Sequence, residues 1–154
     1  MEENCQWQRH NRPRHLVPIL YSINTFVIFC NYFQLTGELL TPMSASQSST
    51  YDTTGELYGA ANGIDGNVAG TSCHTANDRH PWLALDYGKT FAIQTVQIFN
   101  RHDCCGARTR NVEVRVSEEL PTTDNQKFSG GSLLGTFPGP GTDGHYIIIR
   151  GEDL

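Results

Sequence analysis

The stretch Val112-Glu113-Val114-Arg115-Val116 alternates apolar and charged residues without a break. That pattern predicts a half-buried antiparallel strand with three valines inward and two charges outward. A looser two-residue period marks Trp82 to Tyr87, Ile93 to Phe99, Leu133 to Phe137 and Tyr146 to Ile149 as further strands. Gly88-Lys89 and the breaker Pro138-Gly139-Pro140-Gly141 punctuate them. Ala45 to Tyr51 is small, polar and compatible with a strand, and Asp52-Thr53-Thr54-Gly55 reads as a turn. Past residue 45 no long stretch repeats apolar residues at helical spacing, and no internal repeat is visible. Short strands with turns between them predict an all-β sandwich or jelly roll.

Before Ala45 the pattern changes. Residues 1–15 carry Arg9, Arg12, Arg14 and two histidines, and Leu16 to Leu35 follows as an uncharged, mostly apolar run rich in Ile, Phe and Tyr. This resembles a signal sequence or signal anchor, although Pro18, Asn24, Asn31 and Gln34 make it a poor membrane span. The expected organisation is therefore a leader over residues 1–44 and one domain over 45–154. Arg150 to Leu154 comes directly after a strongly apolar strand, where a sandwich often continues in order to pair its edge. The expectation is a missing last strand, which would leave Tyr146 to Ile149 exposed.

Composition narrows the function classes. At 154 residues the chain has room for one domain with a real core. With 11 basic and 16 acidic residues and no block of like charges, nucleic-acid binding is disfavoured. Cys5, Cys30, Cys73, Cys104 and Cys105 make an odd count, so at least one is unpaired within the chain. An extracellular setting would favour disulfides, and a cytosolic one would favour metal binding or catalysis. No Gly-x-Ser-x-Gly elbow, His-Glu-x-x-His or phosphate-cradling glycine loop occurs.

The chemistry concentrates in Arg101-His102-Asp103-Cys104-Cys105-Gly106-Ala107-Arg108, where cations, a carboxylate and sulfur fall within eight residues. A disulfide between adjacent cysteines would close a strained ring and present a small, rigid, apolar plate, with a guanidinium fork on either side. Twenty-six residues separate His74 from Arg101, and it can join this segment only if the strands bring two loops to one end of the sandwich. A neutral imidazole accepts, guanidiniums only donate, and Asp103 can hold an arginine in place. Together these groups suit vicinal hydroxyls, each of which donates and accepts. A zinc site from Cys73, His74, His102, Cys104 and Cys105 is disfavoured, because adjacent cysteines fit tetrahedral geometry poorly. Upstream, Asn62-Gly63-Ile64-Asp65-Gly66-Asn67 is a tight loop of oxygen-bearing side chains, readable either as a turn or as a cation site.

His74, the 26-residue gap, Arg101-x-Asp103-x4-Arg108 and the paired cysteines together resemble the signature of the fucolectins, or F-type lectins. The resemblance runs from about Ala45 to the end of the chain, through the Asn62 loop and the Trp82-x-x-Leu85-Asp86 strand. It implies a galactose-binding-domain-like β-jelly roll that binds L-fucose without catalysis. His74, Arg101 and Arg108 would hydrogen-bond the sugar, Asp103 would belong to the same site, and the Cys104–Cys105 disulfide would pack against the ring. It also implies a structural calcium ion, with Asn62, Asp65, Asn67 and Ser72 at the matching positions. The family's closing strand usually carries a Cys that bonds near the histidine and a Glu that completes the ion site. Without that strand Cys73 is left over and calcium affinity is in doubt. The resemblance further implies secretion, fucosylated glycans as partners, homo-oligomers and a role in innate recognition, with membrane association only through an uncleaved anchor. The competing readings are a discoidin-like adhesion domain for protein or lipid, and a glycan hydrolase, which would need two carboxylates across a cleft.

Overall fold

A computed structural model of the chain describes residues 17–21, 27–35, 38–52, 54, 56–69, 72–89, 91–122 and 127–151. Among them the chain forms ten strands: β1 (Val17–Tyr21), β2 (Val27–Leu35), β3 (Glu38–Leu40), β4 (Ser44–Gln47), β5 (Cys73–His74), β6 (Trp82–Asp86), β7 (Thr95–Asn100), β8 (Val112–Ser117), β9 (Ser132–Phe137) and β10 (Tyr146–Arg150). The helical structure among the described residues is two short 3-10 turns, Ala60–Gly63 and Gly106–Arg108. One five-stranded sheet runs β4-β6-β1-β8-β9. The other runs β10-β7-β2-β3, with β5 added beside β2. Every pairing is antiparallel. The all-β sandwich expected from the alternation is the fold observed.

Side-chain parity builds the core. Val96 and Ile98 of β7 and Ile147 and Ile149 of β10 face inward from one sheet, and Leu83, Leu85, Val112 and Val114 face them from the other. Each buried aliphatic contributes about 1.5–3 kcal/mol, and together they outweigh what any single polar contact adds. β6 is covered on both faces, because Trp82 and Ala84 point away from the main core and pack under Phe128. β10 stands at the end of its sheet and alternates cleanly: Ile147 is 5% exposed, whereas Tyr146 and Ile148 are each 50% exposed.

Two boundaries differ from the sequence reading. β7 begins at Thr95, two residues later than expected, and Ile93 serves as a core residue from the preceding loop. More substantially, the segment set aside as a leader contributes backbone to both sheets. β1 pairs with β6 and β8, and β2 pairs with β5 and β7. The physical reason for the difference is that an uncharged run rich in Ile, Phe and Tyr satisfies a buried strand as well as it satisfies a targeting segment, and apolar content alone does not separate the two. The basic part of the expected leader, residues 1–15, and the chain end from 152 to 154 lie outside the described residues. Among the described residues no helix is long and apolar enough to cross a membrane.

The alternation on β10 has a direct test in neighbouring isoleucines. We expect Ile147→Ala to cost about 2–4 kcal/mol in urea unfolding, as a cavity-forming change in a packed core does, and Ile148→Ala to cost less than about 1 kcal/mol.

Candidate functional site

The site is built around the inward-facing end of β7. Continuing the parity of Val96 and Ile98 makes Asn100 an inward position, and it is fully buried. A buried carboxamide needs partners for two donors and an acceptor oxygen, and Asn100 has them all. Its Nδ2 donates to Gly106 O at 3.0 Å and Thr142 O at 3.1 Å. Its Oδ1 accepts from Thr109 Oγ1 at 2.8 Å and from the Arg101 N–H at 3.2 Å. Residues 101–109 are thereby folded back over the strand end as a closed loop. Within it Cys104 and Cys105 are disulfide-bonded, and Cys105 adopts a left-handed φ of 66° that leads into the Gly106–Arg108 turn. Such a φ is uncommon outside glycine and fixes the direction in which the turn leaves the cysteine pair. Both cysteines are half-buried between the two arginines.

The arginines are not equivalent. Arg101 is held as a bidentate pair by Asp103, with Nε donating to Oδ1 at 2.6 Å and Nη2 bonded to Oδ2. This hydrogen bonding holds the Asp103 carboxyl down to about 2, against some desolvation. It likewise raises the pKa of Arg101, with Tyr58 and Asp143 adding to the field after Asp103. Arg108 is exposed and makes no ion pair among the described residues, so its donors face solvent.

His74 reaches the same end of the sandwich through β2. Val27 is in register with His74 on one side of that strand, and Ile28 with Asn100 on the other. The His74 backbone is laced to the preceding loop by Tyr51 N–H to His74 O at 2.9 Å and His74 N–H to Tyr58 O at 3.0 Å. Gln47 Nε2 reinforces this, donating to Tyr58 O at 2.9 Å and Thr50 Oγ1 at 3.0 Å. The imidazole packs edge-on against Tyr51 at 4.6 Å and tilted against Tyr58 at 5.4 Å, and Tyr51 itself is 64% exposed. His74 is 6% exposed, and among the described residues its buried Nδ1 has no hydrogen-bond partner. Burial lowers the His74 pKa below 6.5, the positive charge of Arg101 lowers it further, the Thr75 backbone opposes this, and Arg108 adds a smaller lowering. His74 is therefore neutral at neutral pH and lies within the field of both guanidiniums.

The structure thus brings His74, Arg101, Asp103, Cys104, Cys105 and Arg108 to one end of the fold. The loop proposed for a cation is held differently. Asp65 Oδ1 accepts the Asn67 N–H at 2.8 Å, Asn67 Oδ1 accepts the Ala69 N–H at 3.0 Å, and Asn62 Nδ2 donates to Glu56 O at 3.1 Å. Ser72 is buried, and its N–H is directed at Leu57 O. The donor set is all oxygen, as calcium requires, with one carboxylate, and the two turn acceptors each keep a second lone pair. Among the described residues no group of three His, Cys, Asp or Glu side chains is placed to hold a metal.

Sequence reasoning missed Asn100 and Asp143, whose Oδ1 accepts the Gly106 N–H at 2.5 Å. A signal for Asn100 existed, since a polar residue at the third inward position of an alternating strand is anomalous. Asp143 comes from a distant loop and carries no comparable signal. Gln47 was passed over as part of a polar strand.

Residues 62–147 match the family model described as NedA-like, galactose-binding domain. The chain belongs to this class of galactose-binding domains. It is 37% identical to a pentraxin fusion protein of Xenopus laevis over 90 residues, covering 55% of this chain and 19% of that protein. It is 35% identical to a fucolectin of Anguilla anguilla over 66 residues (40% and 42%) and 36% identical to fucolectin-1 of Anguilla japonica over 62 residues (37% and 35%). Within that class, the stretches that match are similar to the fucolectins. The chain spans less than half the length of each of these relatives. No solved structure matches it.

The depressed His74 pKa fixes a pH dependence. The unfolded chain takes up this proton near pH 6.5 and the folded chain only at lower pH, so stability present above 6.5 is lost as pH falls below it. We expect unfolding free energy to drop between pH 7.5 and 5 more steeply in the native chain than in His74→Gln, measured by urea denaturation at each pH.

Proposed function

We propose that the chain is a non-catalytic lectin domain that binds L-fucose on glycans. The observation that carries this reading is the pairing of a neutral, buried imidazole that retains unused hydrogen-bonding capacity with two guanidiniums, one locked by a carboxylate and one open to solvent. A sugar hydroxyl that donates to His74 and accepts from Arg101 and Arg108 would be fully satisfied, and an analogue lacking it would leave charged donors unpaired. Arg101 is oriented before the ligand arrives, so little side-chain entropy remains to be lost there. The Cys104–Cys105 plate gives the pocket an apolar floor, and the rings of Tyr51 and Tyr58 beside His74 give it an apolar wall. A deoxy sugar with a methyl group needs such surfaces. Asp103, held ionised by Arg101, is a poor general acid, which supports binding without hydrolysis.

A calcium ion is part of the proposal. Asn62, Asp65, Asn67 and Ser72 are the residues that would hold it, and its charge would stiffen the loop leading into Cys73 and His74. The chain is proposed to act outside the cell, on fucosylated glycans, in innate recognition. A single shallow site gives weak monovalent affinity, so the working form is proposed to be a homo-oligomer or a tandem array.

Titration of the folded chain with L-fucose, with and without a calcium chelator, tests both parts. We expect saturable binding that weakens by about tenfold or more in His74→Ala, which loses a buried acceptor, and in Arg108→Ala, which loses a charge-assisted donor. The chelator is expected to lower the melting temperature. Binding indifferent to fucose, or unchanged in both variants, would sink the sugar assignment, and an unmoved melting temperature would sink the metal.

A further inference from the structure

Resting on the sugar-site reading above, we infer that the loop from Gly141 to His145, with Asp143 at its centre, is the positioning element of the site and sets its affinity. It holds the arginine loop at three places and the strand end at Asn100 at a fourth. Gly141 N–H donates to Thr109 O at 2.8 Å, and Gly144 N–H donates to Arg101 O at 2.9 Å. Thr142 O accepts from Asn100 Nδ2 at 3.1 Å, and Asp143 Oδ1 accepts from the Gly106 N–H at 2.5 Å. The first two bonds fix the ends of the arginine loop. The third ties the loop to Asn100 at the strand end, and the last fixes its middle, immediately after the cysteine pair and two residues before Arg108.

The contact at Gly106 is close on both sides. A Cβ there would lie 2.4 Å from Asp143 Oδ1, 2.8 Å from Asp143 N and 2.6 Å from Asn100 Nδ2, so the loop is seated against this carboxylate with no slack. Of the four bonds it is the one with an ionised acceptor, and charge-assisted bonds of this kind are about twice as strong as neutral ones. Asp143 is itself exposed, and its side chain contributes nothing to the core. Removing the carboxylate leaves the three other bonds and the apolar core intact, but frees the segment that carries Cys104, Cys105 and Arg108. That segment then samples orientations in which the Arg108 fork and the disulfide plate no longer meet one ligand together. A sub-ångström loss of alignment in a preorganised site is enough to lower affinity.

Asp143→Ala, Asp143→Asn and the unmodified chain, compared for L-fucose affinity, melting temperature and amide hydrogen exchange, test this. In Asp143→Ala we expect affinity to fall about tenfold, exchange to accelerate within residues 101–109 alone, and the melting temperature to move by no more than a few degrees. Asp143→Asn keeps an acceptor oxygen and should recover most of both. Unchanged affinity and exchange in Asp143→Ala would overturn the inference, as would a loss of affinity accompanied by faster exchange throughout both sheets. If the unmodified chain fails to bind L-fucose, the ligand assignment falls. Faster exchange confined to residues 101–109 would then still support the positioning role, and unchanged exchange would overturn it.

Discussion

A carboxamide taken out of water costs several kcal/mol unless each of its donors and its acceptor finds a partner. At Asn100 that requirement is met by the backbone of Gly106, Thr142 and Arg101 and the hydroxyl of Thr109, four groups from three parts of the chain. The arrangement couples core to site. The strand that supplies Val96 and Ile98 to the sandwich ends in a residue whose satisfaction dictates the path of the next nine. Packing in the core fixes Asn100, Asn100 fixes the loop, and the loop fixes the spacing of Arg101, the disulfide and Arg108. Replacing Asn100 by an apolar residue of similar size would leave the core filled and the loop without instructions.

The charged and titratable groups at this end of the fold sit in three different environments. Asp103 neutralises and orients Arg101, so that one fork is rigid before any ligand arrives. Arg108 remains exposed with its donors available. His74 is kept neutral by burial and by the two cations, which preserves an acceptor where a protonated ring would offer donors only. A site of three cations would suit an anion. With the imidazole neutral, it presents an acceptor opposite donors, which suits a hydroxyl.

Much of the fold was legible in the sequence because strands buried on one face must alternate. Val112 to Val116 alternates residue by residue in the sequence, and Tyr146 to Arg150, apolar through Ile149, alternates in burial; both are strands. β1 and β2 were not legible as strands, since an uncharged, mostly apolar run without alternation fits a strand and a targeting segment equally well. That His74, Arg101 and Arg108 meet at one end of the fold was legible through their chemistry and spacing. The groups that aim them were not. Asn100 is decided by parity at a strand end, Asp143 by the meeting of two loops 37 residues apart, and the Tyr51–Tyr58–His74 packing by backbone bonds between loop and strand.

The proposal is that one end of the sandwich holds a sugar through the imidazole and both guanidiniums. Side-chain nitrogen resonances of His74, Arg101 and Arg108, followed by NMR during titration of the folded chain with L-fucose, address it most directly. Saturable shifts in all three, with the strand Val112–Ser117 unmoved, are the expected result. Saturation with these nitrogens silent, or shifts centred elsewhere on the fold, would contradict it.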